Sequence, residues 1–388
     1  MRSYTSSTLT LFLSLMILCN GSGASKTIKG QYEETYSPTV IGGKLWYLAK
    51  SQYSDGVNNL MKDHLIADGE EVPIDGEEAR VDCLKSLGDK PAYFVTYRKS
   101  SAEYASYLQY GDKKYEGMSC PDTREDGMQL WDGKLLLLND YKRSLVVDGK
   151  PYDRVSFIKM ADDQPVYRKD RDGKHDLFYG QKKYSLDYFG DDFHNIADAA
   201  MVNNTLALGI FYPVFCKAGG SCPPGSGKII YDQKEIKDPR YVSMEHPFEY
   251  RGALAYVGTT KKGESVIVSR EREISSRHAA IVYPQVIEGK LAYFAFDENG
   301  YAWYYDNIKK SGRYGYIQGE HVEKIGNQFA FIASKDSAIL KEVVVYGKRE
   351  FGKGYDSVGS LSSYNGKIMY VGIKNNKRVI VIDGMTHQ

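Results

Sequence analysis

A short apolar phrase returns nine times along this 388-residue chain. Its clearest forms are GKLWYLA, GALAYVG, GKLAYFA, NQFAFIA and GKIMYVG. The strands they announce begin near Lys44, Lys90, Lys134, Gln164, Thr205, Ala253, Lys290, Gln328 and Lys367, at intervals of 46, 44, 30, 41, 48, 37, 38 and 39 residues. Most are followed by a variable tip and a second strand that ends in a turn, as in HLIADG, SLVVDG, VVVYG and VIVIDG. Six or seven β-branched and aromatic residues bounded by Asp-Gly, Asn-Gly or Gly-Lys are hairpin chemistry, because Gly, Asn and Asp tolerate the positive φ of tight turns. Helical periodicity is absent over most of the chain. A period near 40 residues implies an array of like units, each burying its faces against its neighbours.

Two architectures take a β unit of this length. An outer-membrane barrel needs strands of about 9 to 11 residues with one lipid-facing apolar side. Here the strands are shorter and their tips are charged. A single closed β-propeller of four-stranded blades is therefore expected, all-β, with eight or nine blades depending on whether one unit is irregular. The last unit stops after VIVIDG, and the segment from 27 to 36 aligns with the stretch after that strand in other units. The N-terminal strand is thus expected to complete the last blade, closing the ring and hiding its edges.

The phrases NGKIMYVGI…KRVIVIDG and VVDGKPYDRV resemble the TolB-like, WD-repeat-like propeller repeats of exported bacterial proteins. The resemblance covers residues 27–388 and is closest in the last three units and at 130–157. The usual Ser-Pro-Asp before the Gly is missing throughout. The resemblance implies a propeller with a protein-binding or accessory role, and it brings no catalytic motif.

The first 24 residues read as a secretory signal, with Arg2, an apolar stretch over 9–18 and small residues before a cleavage point after Ala24. The propeller domain is then 25–388. A lipid anchor on Cys19 is the lesser alternative, because Leu18 before it is not small. Removing residues 1–24 takes away only Arg2 of the 51 basic residues and none of the 50 acidic ones, leaving 50 of each. A balanced chain lacks the positive face that nucleic acid demands. No later segment is apolar enough to span a membrane as a helix. Four cysteines remain in this secreted or periplasmic chain, and an even number after export suggests disulfides. Cys216–Cys222 would close a small loop, leaving Cys83–Cys120 as the other pair.

CPPGSGKI, residues 222–229, is two substitutions from a phosphate-binding loop. Cys222 replaces the first glycine and Ile229 the hydroxyl, and KII reads on into a strand where such a loop must open a helix. Neither a nucleotide nor any other cofactor is expected. DRDGKHD (170–176) and DENG (297–300) read as hairpin tips, since both lack the full ligand set of a calcium loop.

Four histidines precede central strands: His194, His246, His278 and His321. Converging in a channel they would suit a divalent metal. Their offsets of 11, 7, 12 and 7 residues from the next central strand argue against one shared depth. Tyr47, Tyr93, Tyr256, Tyr293 and Tyr370 each fall three residues into a central strand and are expected to pack between blades. Tyr152, Tyr241, Tyr283, Tyr316 and Tyr355 lie between strands, and all but Tyr283 stand twelve residues before a central strand. They are the candidate lining of a loop-rich face that binds an envelope or extracellular protein or glycan. The competing readings are a channel-centred enzyme of lyase or glycosidase type, a small-ligand binder, and a structural envelope or biofilm component. No Gly-x-Ser-x-Gly elbow is present to signal a joined hydrolase domain.

Overall fold

In the computed structural model, residues 32–387 are described apart from 55–58, 76, 101–102, 119, 121–127, 140–143, 153–154, 162–163, 172–173, 185–195, 213–225, 299, 319–321 and 337–340. They form nine antiparallel sheets, each built from one contiguous stretch of chain. In chain order, blades 1 to 9 span 34–72, 77–116, 128–152, 155–184, 196–235, 241–273, 280–309, 316–351 and 357–387. Every described strand belongs to one of them, and there is no helix among the described residues. The chain is a nine-bladed β-propeller. The second strands begin at Lys44, Lys90, Lys134, Gln164, Thr205, Ala253, Lys290, Gln328 and Lys367, the nine positions expected from the repeat.

Central strands are mostly apolar in their middle residues because both faces are covered there. Lys290–Asp297 is typical, with Leu291 to Ala295 all buried. One hydrophobic layer fills each gap between neighbouring blades. Leu48 and Leu65 of blade 1 pack on Val81, Val95 and Tyr107 of blade 2. On the other face, Leu45, Tyr47, Ala49 and Ile66 pack on Met369, Ile380 and Ile382 of blade 9. The five core tyrosines are all buried, from 0% exposed at Tyr293 to 7% at Tyr93.

The ring closes through side-chain packing and not through a shared sheet. Glu34–Ile41 pairs with Lys44–Ser54 as the first strand of blade 1. Blade 9 takes its fourth strand from its own chain. Asp383 and Gly384 adopt φ of 51° and 82° and turn Met385 back onto Ile382. This corrects the expectation that the N-terminal strand completes the last blade: the local Asp-Gly hairpin already satisfies that edge. Residues 27–31 lie outside the described set. Across the seam, the Ile380 amide donates to Thr35 Oγ1 at 3.1 Å in a buried bond.

Blade 8 is the irregular unit. Its first strand is split into Tyr316–Ile317 and Glu323–Ile325, both paired with Gln328–Ser334. The split leaves the number of blades at nine.

Candidate functional site

First strands of most neighbouring blades touch one another, as strands that line the axis do. Among the described residues, five blades carry in this strand a β-bulge whose first residue is left-handed. These are Ser37, Cys83, His246, Tyr283 and Ser360, with φ between 50° and 56°. The register skips two residues at each: Ser37-Pro38, Cys83-Leu84, His246-Pro247, Tyr283-Pro284 and Ser360-Leu361. Proline is tolerated there because a bulge removes the ladder bond its missing N–H would have made. Each bulge residue stands seven positions before its central strand. The offset of seven at His246 is therefore a bulge position, and His321 lies outside the described residues.

The offset of twelve marks a second position, where the chain enters the first strand. Tyr241 and Tyr355 occupy it identically. Tyr241 meets Tyr256 edge-on at 6.4 Å and 84°, and Tyr355 meets Tyr370 at 6.4 Å and 86°. Their hydroxyls reach the fourth strand of the same blade: Tyr241 donates to Glu273 Oε1 at 3.2 Å, and Tyr355 lies 3.2 Å from Thr386 Oγ1. Each ring therefore braces a whole blade from first strand to last. Burial pushes the Tyr241 phenol up to about 12, with Glu273 adding to the effect.

In blade 8 the brace is Tyr314 and not Tyr316. Tyr314 is buried, meets Phe331 edge-on at 5.9 Å and donates to Glu350 Oε1 at 3.2 Å. The split first strand shifts the spacing by two residues, while Tyr316 sits half-buried two positions on. Tyr283 is a bulge residue, half-buried beside Pro284. Tyr152 ends the outermost strand of blade 3, paired with Leu145, and its side chain lies outside the described residues.

The histidines separate in the same way. His278 holds the brace position of blade 7, with its Nδ1 3.0 Å from Asp297 Oδ1 and its ring 5.0 Å from that of Tyr304. His246 sits at the bulge of blade 6, its Nδ1 3.4 Å from Asp198 Oδ2 of blade 5. Five residues of strand separate the two registers, roughly 16 Å along the axis. His194 lies outside the described residues. Among the described residues no group of three or more His, Cys, Asp or Glu is placed to hold a metal ion.

Cys83 and Cys120 form a disulfide. It ties the crossing from blade 2 to blade 3 back to the bulge of blade 2, beside Leu87, Phe94 and Met128. Cys216 and Cys222 lie outside the described residues.

Gly227 of the CPPGSGKI stretch is in a strand, Ser226–Tyr231, opposite Phe211. A Cβ there would come within 2.7 Å of the Met244 carbonyl oxygen, and its amide donates to Ser243 Oγ at 2.7 Å. The glycine serves close packing of blade 5 on blade 6.

One end of the ring carries the hairpins between second and third strands. In blades 6, 7 and 9 the second strand has 8 residues. In blades 1 and 2 it has 11, Lys44–Ser54 and Lys90–Ser100. Three further residues lift these two adjacent hairpins about 10 Å above the common level. The blade 2 hairpin presents Tyr104, 60% exposed, opposite Arg98. Around it Arg98 pairs with Glu78 at 2.8 Å and Lys99 with Glu103 at 3.3 Å.

No family model matches the chain, and no curated protein matches it. Among solved structures it is similar to the β-propeller domain of the trilobed protease from Pyrococcus furiosus, reported to have an open velcro topology. The two are 10% identical over 92% of this chain and 95% of that one, with a TM-score of 0.36. The nine-bladed assignment rests on this chain's own sheets.

Proposed function

We propose that this chain is an exported interaction scaffold that holds a protein partner on the raised rim of blades 1 and 2. The observation that carries the reading is the pair of lengthened hairpins, which sets an exposed aromatic, Tyr104, among charged neighbours. A ring stiffened by packed blades can vary such loops without disturbing its core. Tyrosine and arginine, here Tyr104 and the Arg98 paired with it, are residue types enriched in protein-binding hot spots. The signal-like residues 1–24, the Cys83–Cys120 disulfide and the likeness to TolB-like repeats support export and an accessory role.

The test places a photo-crosslinking residue at position 104, or at Ile308 on the outer strand of blade 7, itself 57% exposed. Position 104 is expected to give one discrete protein adduct in envelope extract, with none from 308. Equal adducts from both positions would discard the rim as the docking site. An adduct removed by glycosidase treatment would replace the protein partner with a glycan.

A further inference from the structure

Ser51, His64 and Glu71 form a hydrogen-bonded chain across three neighbouring strands of blade 1. Ser51 Oγ lies 2.7 Å from His64 Nε2, and His64 Nδ1 lies 2.9 Å from Glu71 Oε1. An ionised carboxylate only accepts, so the proton sits on Nδ1. Nε2 is left as an acceptor, and the Ser51 hydroxyl donates to it. Hydroxyl, imidazole and carboxylate in this order are what turns a serine into a nucleophile.

The ladder brings them together. Ala49 pairs with His64 and Ser51 with Lys62, so His64 is the diagonal neighbour of Ser51 on one face of the sheet. Ile66 pairs with Glu71, which brings the carboxylate to the same face. This face packs against blade 9 through Tyr47, Ala49 and Ile66. The ring of Tyr32 lies 5.2 Å from that of His64. His64 is 8% exposed, whereas Ser51 is half-buried and Lys62, beside it, is exposed. The base is thus sheltered from water while the hydroxyl remains reachable.

We propose that blade 1 carries a hydrolytic site for carboxylic esters. Ser51 is the nucleophile, His64 the general base and Glu71 the positioning residue. Lys62 stands next to the nucleophile, where it stabilises charge on the carbonyl oxygen. Ser51 Oγ bonds to the ester carbonyl carbon as its proton passes to Nε2. The carbon–oxygen bond to the alcohol then breaks, and the alcohol leaves with that proton. Water, deprotonated by the same nitrogen, releases the acid and restores the serine. This activity is independent of the binding role and needs no strained nucleophile turn, since an open strand already presents the hydroxyl.

A fluorophosphonate probe applied to the full chain tests the site. Ser51 displaces fluoride, and the adduct is located by peptide mass. One adduct on Ser51 is expected, absent in Ser51→Ala. His64→Gln is expected to slow labelling about 100-fold, the lower range of general-base contributions. Glu71→Ala is expected to slow labelling of Ser51 and Glu71→Asp to recover part of the rate, because a carboxylate must hold the His64 ring in place; a residue that only braces the blade would leave the labelling rate of the folded chain unchanged. Lack of an adduct on Ser51 in the wild-type chain overturns the proposal. So does labelling as fast in a folded Glu71→Ala chain as in the wild type, which decides the matter even where His64→Gln does not fold.

Discussion

The ring of Tyr355 lies so close over Gly372 that a Cβ on the glycine would come within 2.6 Å of it. Tyr241 stands over Gly258 in the same way, at 2.8 Å. In both blades the glycine is the sixth residue of the second strand, seventeen positions after the tyrosine. Neither glycine has a positive φ, so each is present for space and not for backbone freedom.

Gly372→Ala is therefore expected to displace the Tyr355 brace and to destabilise the protein by about 1–3 kcal/mol, as overpacking does in other cores. Thermal unfolding reads the loss, and near-ultraviolet circular dichroism reads the displaced ring. An unchanged midpoint would show that the brace adapts freely.

Blade 7 has His278 at the brace position and Ala295, fully buried, where blades 6 and 9 have glycine. A tyrosine there meets a methyl group. His278→Tyr should destabilise, and adding Ala295→Gly should recover part of the loss. A double-mutant cycle is expected to give a coupling of about 0.5–3 kcal/mol, the range for residues in contact. Simple additivity would mean that the two positions do not face one another.

The seam between first and last blades has its own test. Thr35→Val keeps the shape of the side chain but removes the oxygen that accepts from the Ile380 amide. A buried donor left without a partner costs about 1–3 kcal/mol. Urea unfolding should show that loss, and hydrogen exchange should quicken at Ile380 before it quickens in blades 4 and 5. Uniform quickening would mean the ring opens elsewhere first.

Asp63 gives a pH dependence. It is buried in the interface of blades 1 and 2, accepting from the Val81 amide at 3.2 Å. Burial holds its carboxyl above the ordinary value, while Lys50 and the Val81 bond pull the other way. The folded chain therefore keeps this proton more tightly than the unfolded chain. The stability it contributes is present below the unfolded value and is lost as pH rises through the folded one. Asp63→Asn stays neutral, so it should gain on the wild type as pH rises from about 4 towards neutrality. The reverse trend would mean that Lys50 and Val81 outweigh burial.

Much of the fold is legible in the chain because the signals are local. Each central strand begins at a turn of Gly, Asn or Asp that only certain residues can make, and most have an apolar middle because blades cover both faces there. The period, the nine strand starts and the burial of Tyr47, Tyr93, Tyr256, Tyr293 and Tyr370 all stem from that. The bulges were legible too, as Ser-Pro, His-Pro and Tyr-Pro pairs six to seven residues before a central strand at 37, 246 and 283. Read as histidines and tyrosines, these positions suggest ligands; read with their prolines, they are places where the ladder skips.

Spacing along the chain determined by itself where each blade begins and which positions repeat. Only the tertiary structure decided which residues meet across strands and across the seam. The offset of twelve selects Tyr316, but the split first strand of blade 8 gives the brace to Tyr314. The last strand is Met385–His387 and not the N-terminal segment, because an Asp-Gly turn pairs the nearest chain first. Ser51, His64 and Glu71 share no motif, being 13 and 7 residues apart. Their contact depends on the register of two hairpins, and register is set by the packing of whole blades, which no local phrase encodes.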